Sequence, residues 1–515
     1  CSSWSEMAGG DRYSAFHVCS PSRASMMTGR LSVRAGIGFV GSGSNGVFTD
    51  EAVGCLPSNE TTMPEALKRS DPTYMTFAVG KWHLGQRAGC LPTERGFDKY
   101  FGIPFSCDMG ISGWNYHNHS SPPFAARPLP LLNDTTIIEQ PVNLATLSDR
   151  YVGAALGFIE EAKTAARPFL LYIPWNHVHN PNFRSLQFCN SSKRGSVGDA
   201  AQELDHAVGK LVAGVGALGM DENIVWFFTS DNGAPLGNDH NGNGPLLDGK
   251  FTTWEGGVRE PAFITWKGTV PPGGMSDALT GTYDIFATIM AIAGVAPPTD
   301  RVIDGMDLTP LLMDPSHKAS GGHDCIFHYH SPQSNEGNTS TSPFSPSGVA
   351  AVRCGKYKAH FFTHSTCQQY LRPVPDGAHE PPVVFDLDVD LKEQHPMYPN
   401  SSNAVAAAVK MIRAALKAHL ATVKLVPNQM IPGGPHPGGD LCDKTTAPTC
   451  VGGNNISYAV CKDIDSKIKF PQWPVCTFSP QYYGSFACQY AENQKKKMKC
   501  MARCMPPGEQ GAGPW

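Results

Sequence analysis

The sequence predicts an α/β protein in two unequal parts with a cysteine-rich tail, and three observations lead there. Short apolar runs that read as buried strands alternate with longer stretches of helical period. The runs deliver polar, chemistry-bearing residues at their carboxyl ends, where open α/β sheets build their sites. Beyond residue 350 the pattern changes to short alternating strands followed by an alanine-rich helix.

Taken in order, residues 13–18 are an apolar lead-in, and 22–30 are expected to begin a helix whose amides face an anion. Gly36 to Gly46 reads as a glycine-rich surface loop without phosphate-loop spacing. Met75–Val79 reads as a buried strand, as do 168–173 and 223–230. Helices are expected over 149–166, 199–218 and 283–295, the last lying over the sheet. Asp304 to Leu311 closes the large domain. Residues 325–350 turn to Ser, Pro, Asn and Gly and read as a linker or loop. A hairpin is expected at 350–353 and 357–362 around Gly355-Lys356, with a third strand at 383–387 and a helix over 402–423. The domains are therefore placed at 1–330, 331–435 and 436–515.

Bulk numbers exclude several classes. A chain of 515 residues, 41% hydrophobic and 17% charged, is globular. A net charge of −4 argues against a nucleic-acid partner held by phosphate contacts, and no apolar run is long enough to span a bilayer. Sixteen cysteines, seven of them between Cys442 and Cys504, suit an oxidising compartment. Irregular spacing reads the tail as disulfide-stapled and not as a zinc module. Sequons at Asn59, Asn118, Asn133, Asn190, Asn338, Asn400 and Asn455 point the same way, to the secretory route.

Six stretches carry chemistry. Cys19-Ser20-Pro21-Ser22-Arg23, running on to Thr28-Gly29-Arg30, offers a thiol before a turn with a permanent cation beside it. From these residues alone it is also compatible with a buried or disulfide-bonded cysteine. Gly80-Lys81-Trp82-His83-Leu84-Gly85 places a lysine and a histidine two apart at a strand end. Both reach one crevice only if the flanking glycines make the backbone irregular. In Asn176-His177-Val178-His179 no third ligand sits at zinc spacing. Asp231-Asn232-Gly233 ends a strand as a hard-cation half-site or as an Asn-Gly turn. The block from Gly249 to Pro261 carries Lys250, with Arg259 and Glu260 bracing it, and Ser106 follows Gly96-Phe97-Asp98-Lys99-Tyr100-Phe101-Gly102.

The order and spacing of these blocks, from about residue 11 to 430, resemble the sulfatase family and its arylsulfatase branch. The match includes Arg353-Cys354-Gly355-Lys356-Tyr357-Lys358-Ala359-His360-Phe361-Phe362, outside any catalytic motif. The resemblance implies an alkaline-phosphatase-like fold: a large central mixed sheet flanked by helices, then a small antiparallel sheet with one helix. It implies hydrolysis of a sulfate monoester to an alcohol and inorganic sulfate. Cys19 would be converted to Cα-formylglycine by the formylglycine-generating enzyme during export, giving a hydrate whose one hydroxyl attacks sulfur while the other expels sulfate. Arg23 and Lys81 would anchor the hydrate, and His83 would take the proton that triggers release. Lys250 and His179 would stabilise and protonate the departing oxygen. Ser106, with Lys81, His179 and Lys250, would contact the substrate sulfate. Asp231, Asn232 and the modified Cys19 would hold Ca2+ or Mg2+. The substrate would be a sulfated small molecule, glycolipid or glycan, and the location lysosomal or extracellular.

Two departures stand out. The family's cation site also uses an Asp-Asp pair on the first strand, and only Glu6 and Asp11 are acidic before Cys19. We therefore expect an N-terminal strand and a signal peptide ahead of this sequence. The cysteine-rich tail has no counterpart in the resemblance. The alternatives are a phosphonate or phosphodiester hydrolase of the same superfamily, or a non-catalytic relative that binds sulfated glycans.

Overall fold

The computed structural model describes residues 8–10, 13–38, 40–41, 44–50, 52–110, 129–236, 242–314, 322–330, 348–366, 373–424 and 426–430. The tail expected at 436–515, with its disulfides, lies outside the described residues. In chain order the elements begin with β1 (Ala8–Gly10), β2 (Tyr13–Ser14), α1 (Cys19–Thr28), β3 (Val40–Gly41), β4 (Ser44–Asn45), α2 (Met63–Ser70) and β5 (Met75–Val79). Next come β6 (Lys99–Gly102), β7 (Leu131–Asn133), β8 (Thr136–Glu139), α3 (Leu147–Thr164), β9 (Phe169–Tyr172), α4 (Gly195–Ala217) and β10 (Val225–Thr229). The large part closes with α5 (Glu255–Val258), β11 (Ala262–Trp266), β12 (Met275–Ser276), β13 (Thr280–Gly281), α6 (Asp284–Ile292) and α7 (Thr309–Met313). The small part holds β14 (Cys325–Tyr329), β15 (Val349–Cys354), β16 (Tyr357–Thr363), β17 (Gly377–Asp386) and α8 (Asn403–Leu420).

Strand β5 pairs in parallel with β6 and β9, and antiparallel β7 and β8 extend the sheet to the order β8-β7-β6-β5-β9. A second sheet has the order β10-β11-β1-β12. Among the described residues the mixed sheet expected falls into these two ladders and the short parallel β2–β13 pair, with β9 and β10 as end strands. Both strands nevertheless feed the same two apolar layers, because alternate side chains leave a strand on opposite faces. Leu170, Tyr172 and Phe227 pack with Met27, Leu67 and Phe286 of α1, α2 and α6. Leu171 and Trp226 pack with Tyr151 and Leu211 of α3 and α4 on the other face. Cover on both faces is why these strands read as unbroken apolar runs.

The helices follow their apolar spacing. Tyr151, Val152, Ala155, Ile159 and Ala162 line the buried stripe of α3. Helix α2 starts at a capping box between Thr62 and Glu65. In the small part the antiparallel order is β14-β15-β16-β17, and Val405, Val409 and Ile412 seat α8 on it.

Two readings of loops need correction. Residues 325–329 are not linker but an edge strand, paired with β15 and tied to it by the Cys325–Cys354 disulfide. Their alternating burial was averaged away by the Ser- and Pro-rich residues that follow. The 36–46 stretch contains the two-residue ladder of β3 with β4. Among the described residues no helix is long and apolar enough to cross a membrane.

Candidate active site

Helix α1 begins at Cys19, three residues earlier than expected. Pro21 is accommodated in the first turn, where a missing amide donor costs nothing. Val18 enters in extended conformation and no side chain caps the helix, so its positive end lies at Cys19. The thiol is only 2% exposed, with Lys81 Nζ and Lys250 Nζ each 3.4 Å from Sγ. Burial opposes ionisation of this thiol. Lys250 and Lys81, with the His179 and His83 imidazoles beside them, overcome it and hold the group well below its ordinary value. Two ammonium groups around a buried thiol at a helix start form a cradle that can hold negative charge.

The irregular backbone required after β5 is present. Gly80 has φ +131°, and a Cβ there would sit 2.1 Å from the Pro174 carbonyl oxygen. His83 follows with φ +62°. Lys81 and His83 consequently both turn toward Cys19, and Lys81 Nζ also donates to Ser106 Oγ at 3.1 Å. His83 Nε2 donates to the Phe48 carbonyl at 2.8 Å, which leaves Nδ1 as the unprotonated nitrogen. That Nδ1 is buried without a hydrogen-bond partner. Burial, then Lys81, lowers the imidazole to about 4, so it stays neutral and able to accept a proton.

His179 and Lys250 close the opposite side. His179 Nδ1 donates to the Asn180 carbonyl at 2.7 Å, so Nε2 accepts from Lys250 Nζ at 3.0 Å. Burial works against the Lys250 charge, but Cys19, Asp231 and Asp108 raise its pKa overall. His179 keeps 22% of its side chain exposed and marks the open mouth of the site. His177 points elsewhere, against Phe183 at 4.3 Å between ring centres, and burial lowers it to about 3.

Arg23, expected at the nucleophile, directs Nε and Nη2 onto Asp231 Oδ2 at 2.9 and 2.7 Å. Its Nη1 reaches the Lys81 carbonyl at 2.9 Å and the Tyr172 hydroxyl at 3.3 Å. Asp231 is partly open, with 27% of its side chain exposed. Next to it, Asn232 Oδ1 is buried and accepts no hydrogen bond. Glu260, also buried, is pushed well up by burial and then by the Asp231 charge. An orphaned amide oxygen beside a partly open carboxylate fits a hard cation, which Asp231 and Asn232 would hold. Among the described residues no three His, Cys, Asp or Glu side chains gather at ligand spacing.

Tyr172 and Asp108 were missed from the sequence. Tyr172 ends β9, and the rule that strand ends build the site would have found it. Asp108 lies 3.9 Å from His179 Nδ1, and only its place two residues after Ser106 hints at it.

Comparison with known proteins decides the family. The sulfatase family profile matches residues 10–295, and the profile of the C-terminal region of aryl-sulfatase matches 321–452. The chain belongs to the sulfatase family. It is thereby placed among the sulfuric ester hydrolases, with an alkaline-phosphatase-like fold. It is 39% identical to N-acetylgalactosamine-6-sulfatase of Canis lupus familiaris over 70% of this chain and 66% of that protein, just under two thirds of its length. It is 37% identical to arylsulfatase A of Bos taurus over 83% of this chain and 84% of that one. Among solved structures, the PsFucS1 sulfatase from Pseudoalteromonas sp. superposes with a TM-score of 0.68 at 26% identity, covering 82% of this chain and 84% of that one.

Proposed function

We propose that this sulfatase-family chain hydrolyses a sulfate monoester, using position 19 as the nucleophile and a divalent cation at Asp231 and Asn232. The observation that carries the reading is the buried Cys19 between two lysine ammonium groups, with a proton-accepting histidine on one side and a lysine–histidine pair on the other. A Cα-formylglycine made from Cys19 would supply, as its hydrate, one hydroxyl to attack sulfur and a second to expel sulfate. Calcium, or magnesium, would add positive charge at the sulfate oxygens.

The chain's own groups do the rest. Lys81, with Ser106 behind it, binds a sulfate oxygen and holds charge at position 19. His83 Nδ1 accepts the proton lost as sulfate leaves. Lys250 donates to the departing alcohol oxygen, and His179, sharing the Lys250 hydrogen bond through Nε2, helps deliver its proton. Arg23 fixes the Asp231 carboxylate through Oδ2, and Asp231 would hold the cation with its other oxygen.

The substrate is a sulfated small molecule, glycolipid or glycan, met along the secretory route in a lysosome or outside the cell. Asn59, Asn133, Asn190 and Asn400, the sequon asparagines among the described residues, are all exposed, as glycosylation requires. The test compares 4-nitrophenyl sulfate with the matching phosphate and phosphonate esters, with calcium and with chelator, using chain secreted by cells that carry the formylglycine-generating enzyme. Calcium-dependent turnover of the sulfate ester is expected. Preference for the phosphorus esters, or binding of sulfated glycan without turnover, would overturn the reading.

A further inference from the structure

The loop that presents Lys250 is fastened to the small sheet on both sides of that lysine. Two residues before it, Asp248 accepts at Oδ2 from the Thr366 amide (3.0 Å) and at Oδ1 from Thr366 Oγ1 (2.5 Å) and the Gly249 amide (2.8 Å). Four residues after it, Trp254 donates to the His364 carbonyl at 3.2 Å and packs on His360 with ring centres 4.4 Å apart. Five residues after it, the Glu255 amide donates to Glu393 at 2.7 Å, and its carboxylate takes Lys358 at 2.8 Å and Arg353 at 3.4 Å. Lys358 and His360 in turn bond Glu393 at 3.2 and 2.8 Å. Of these, the Glu255, Lys358, Arg353, Glu393 and His360 side chains are at most 2% exposed.

The loop between these fastenings is strained. Asp248 and Phe251, on either side of Lys250, have φ of +54° and +76°, left-handed values that side chains disfavour. Such residues persist only where surrounding contacts over-determine them. Here the contacts on one flank come from Thr366, 118 residues away.

We propose that Thr366, Lys358 and Glu393 of the small part are positioning residues for Lys250, holding its ammonium between Cys19 and His179. The inference rests on the reading of Lys250 as the group that assists the departing oxygen. The small sheet is then part of the catalytic machinery's mounting, and its disturbance reaches the chemistry through one lysine.

The experiment uses the full chain with Thr366→Val, Thr366→Ser and Lys250→Ala, assayed on phenyl sulfate and 4-nitrophenyl sulfate, with a thermal melt of each. A misplaced Lys250 matters most where the leaving oxygen is basic. Thr366→Val is expected to lower kcat on phenyl sulfate about tenfold with KM unchanged, and on 4-nitrophenyl sulfate about twofold. Thr366→Ser, which restores the hydroxyl, is expected to recover both. Lys250→Ala should show the same selectivity more strongly. Equal losses on the two esters with Thr366→Val, or none, while Lys250→Ala remains selective, would overturn the positioning role alone. A Lys250→Ala variant without selectivity would overturn the reading of Lys250, and the inference with it. Should Thr366→Val fail to fold, Lys358→Arg, which keeps the charge on Glu255 but not its fit, is read by the same criteria.

Discussion

The two halves of the cleft floor differ in kind. Around Cys19 the cationic half is tied together by its own side chains: Lys81 bonds Ser106, Lys250 bonds His179, and both reach the thiol, while His83 Nδ1 stays without a partner. The acidic half, at Asp231, Asn232 and Glu260, is crowded with like charge and keeps a buried oxygen without a donor. Arg23 joins them, through Asp231 on one side and the Lys81 carbonyl on the other. The cationic half is held by lysine contacts to the thiol, to Ser106 and to His179, whereas the acidic half brings two carboxylates together beside an unpaired amide oxygen. Substitutions on the two sides should therefore fail differently.

The largest effect belongs to the nucleophile. Cys19→Ser removes the second hydroxyl that the two-step route needs, and sustained turnover should fall by about 10^4-fold or more. Continued multiple turnover, measured by released inorganic sulfate, would contradict the mechanism. On the acidic side, chelation or Asp231→Ala should cost about 10^2-fold or more. Added calcium should rescue the chelated enzyme but not the variant, and indifference to chelator would remove the cation from the account. On the cationic side, His179→Ala should lower kcat about 10^2-fold for phenyl sulfate and far less for 4-nitrophenyl sulfate. Equal losses on the two would sink the role given to His179.

These contrasts show what was legible in the sequence. Lys81, His83, Asp231 and Asn232 follow directly on β5 and β10, so unbroken apolar runs pointed to them. Helix α3 and the β15–β16 hairpin could likewise be read from spacing and turn residues. Strands β6, β7 and β8 carry four residues or fewer, too short for a period to show. The partner of Arg23 was equally hidden, because Asp231 lies 208 residues away and tertiary folding brings the two together. The Asp248–Thr366 attachment is tertiary in the same sense, and neither residue type announces it.

The smallest effect sharpens the comparison at that attachment. Burial raises Asp248 to about 6, against an ordinary 3.8, despite the bonds from Thr366 and Gly249, and Asp376 adds to the rise. A raised carboxyl favours the protonated folded state. Its contribution is full below about pH 4 and is lost as the pH climbs through 6, a difference of up to about 3 kcal/mol. Asp248→Asn should flatten that part of the stability profile between pH 4 and 7, seen by urea unfolding at each pH. An unchanged slope would mean that Asp248 does not titrate there.

The central claim is that position 19 carries the reaction, and the mass of the tryptic peptide 13–23 from natively secreted protein tests it most directly. The mass of an aldehyde in place of the thiol at Cys19 is expected. An intact or disulfide-linked cysteine in protein that still releases sulfate would contradict it.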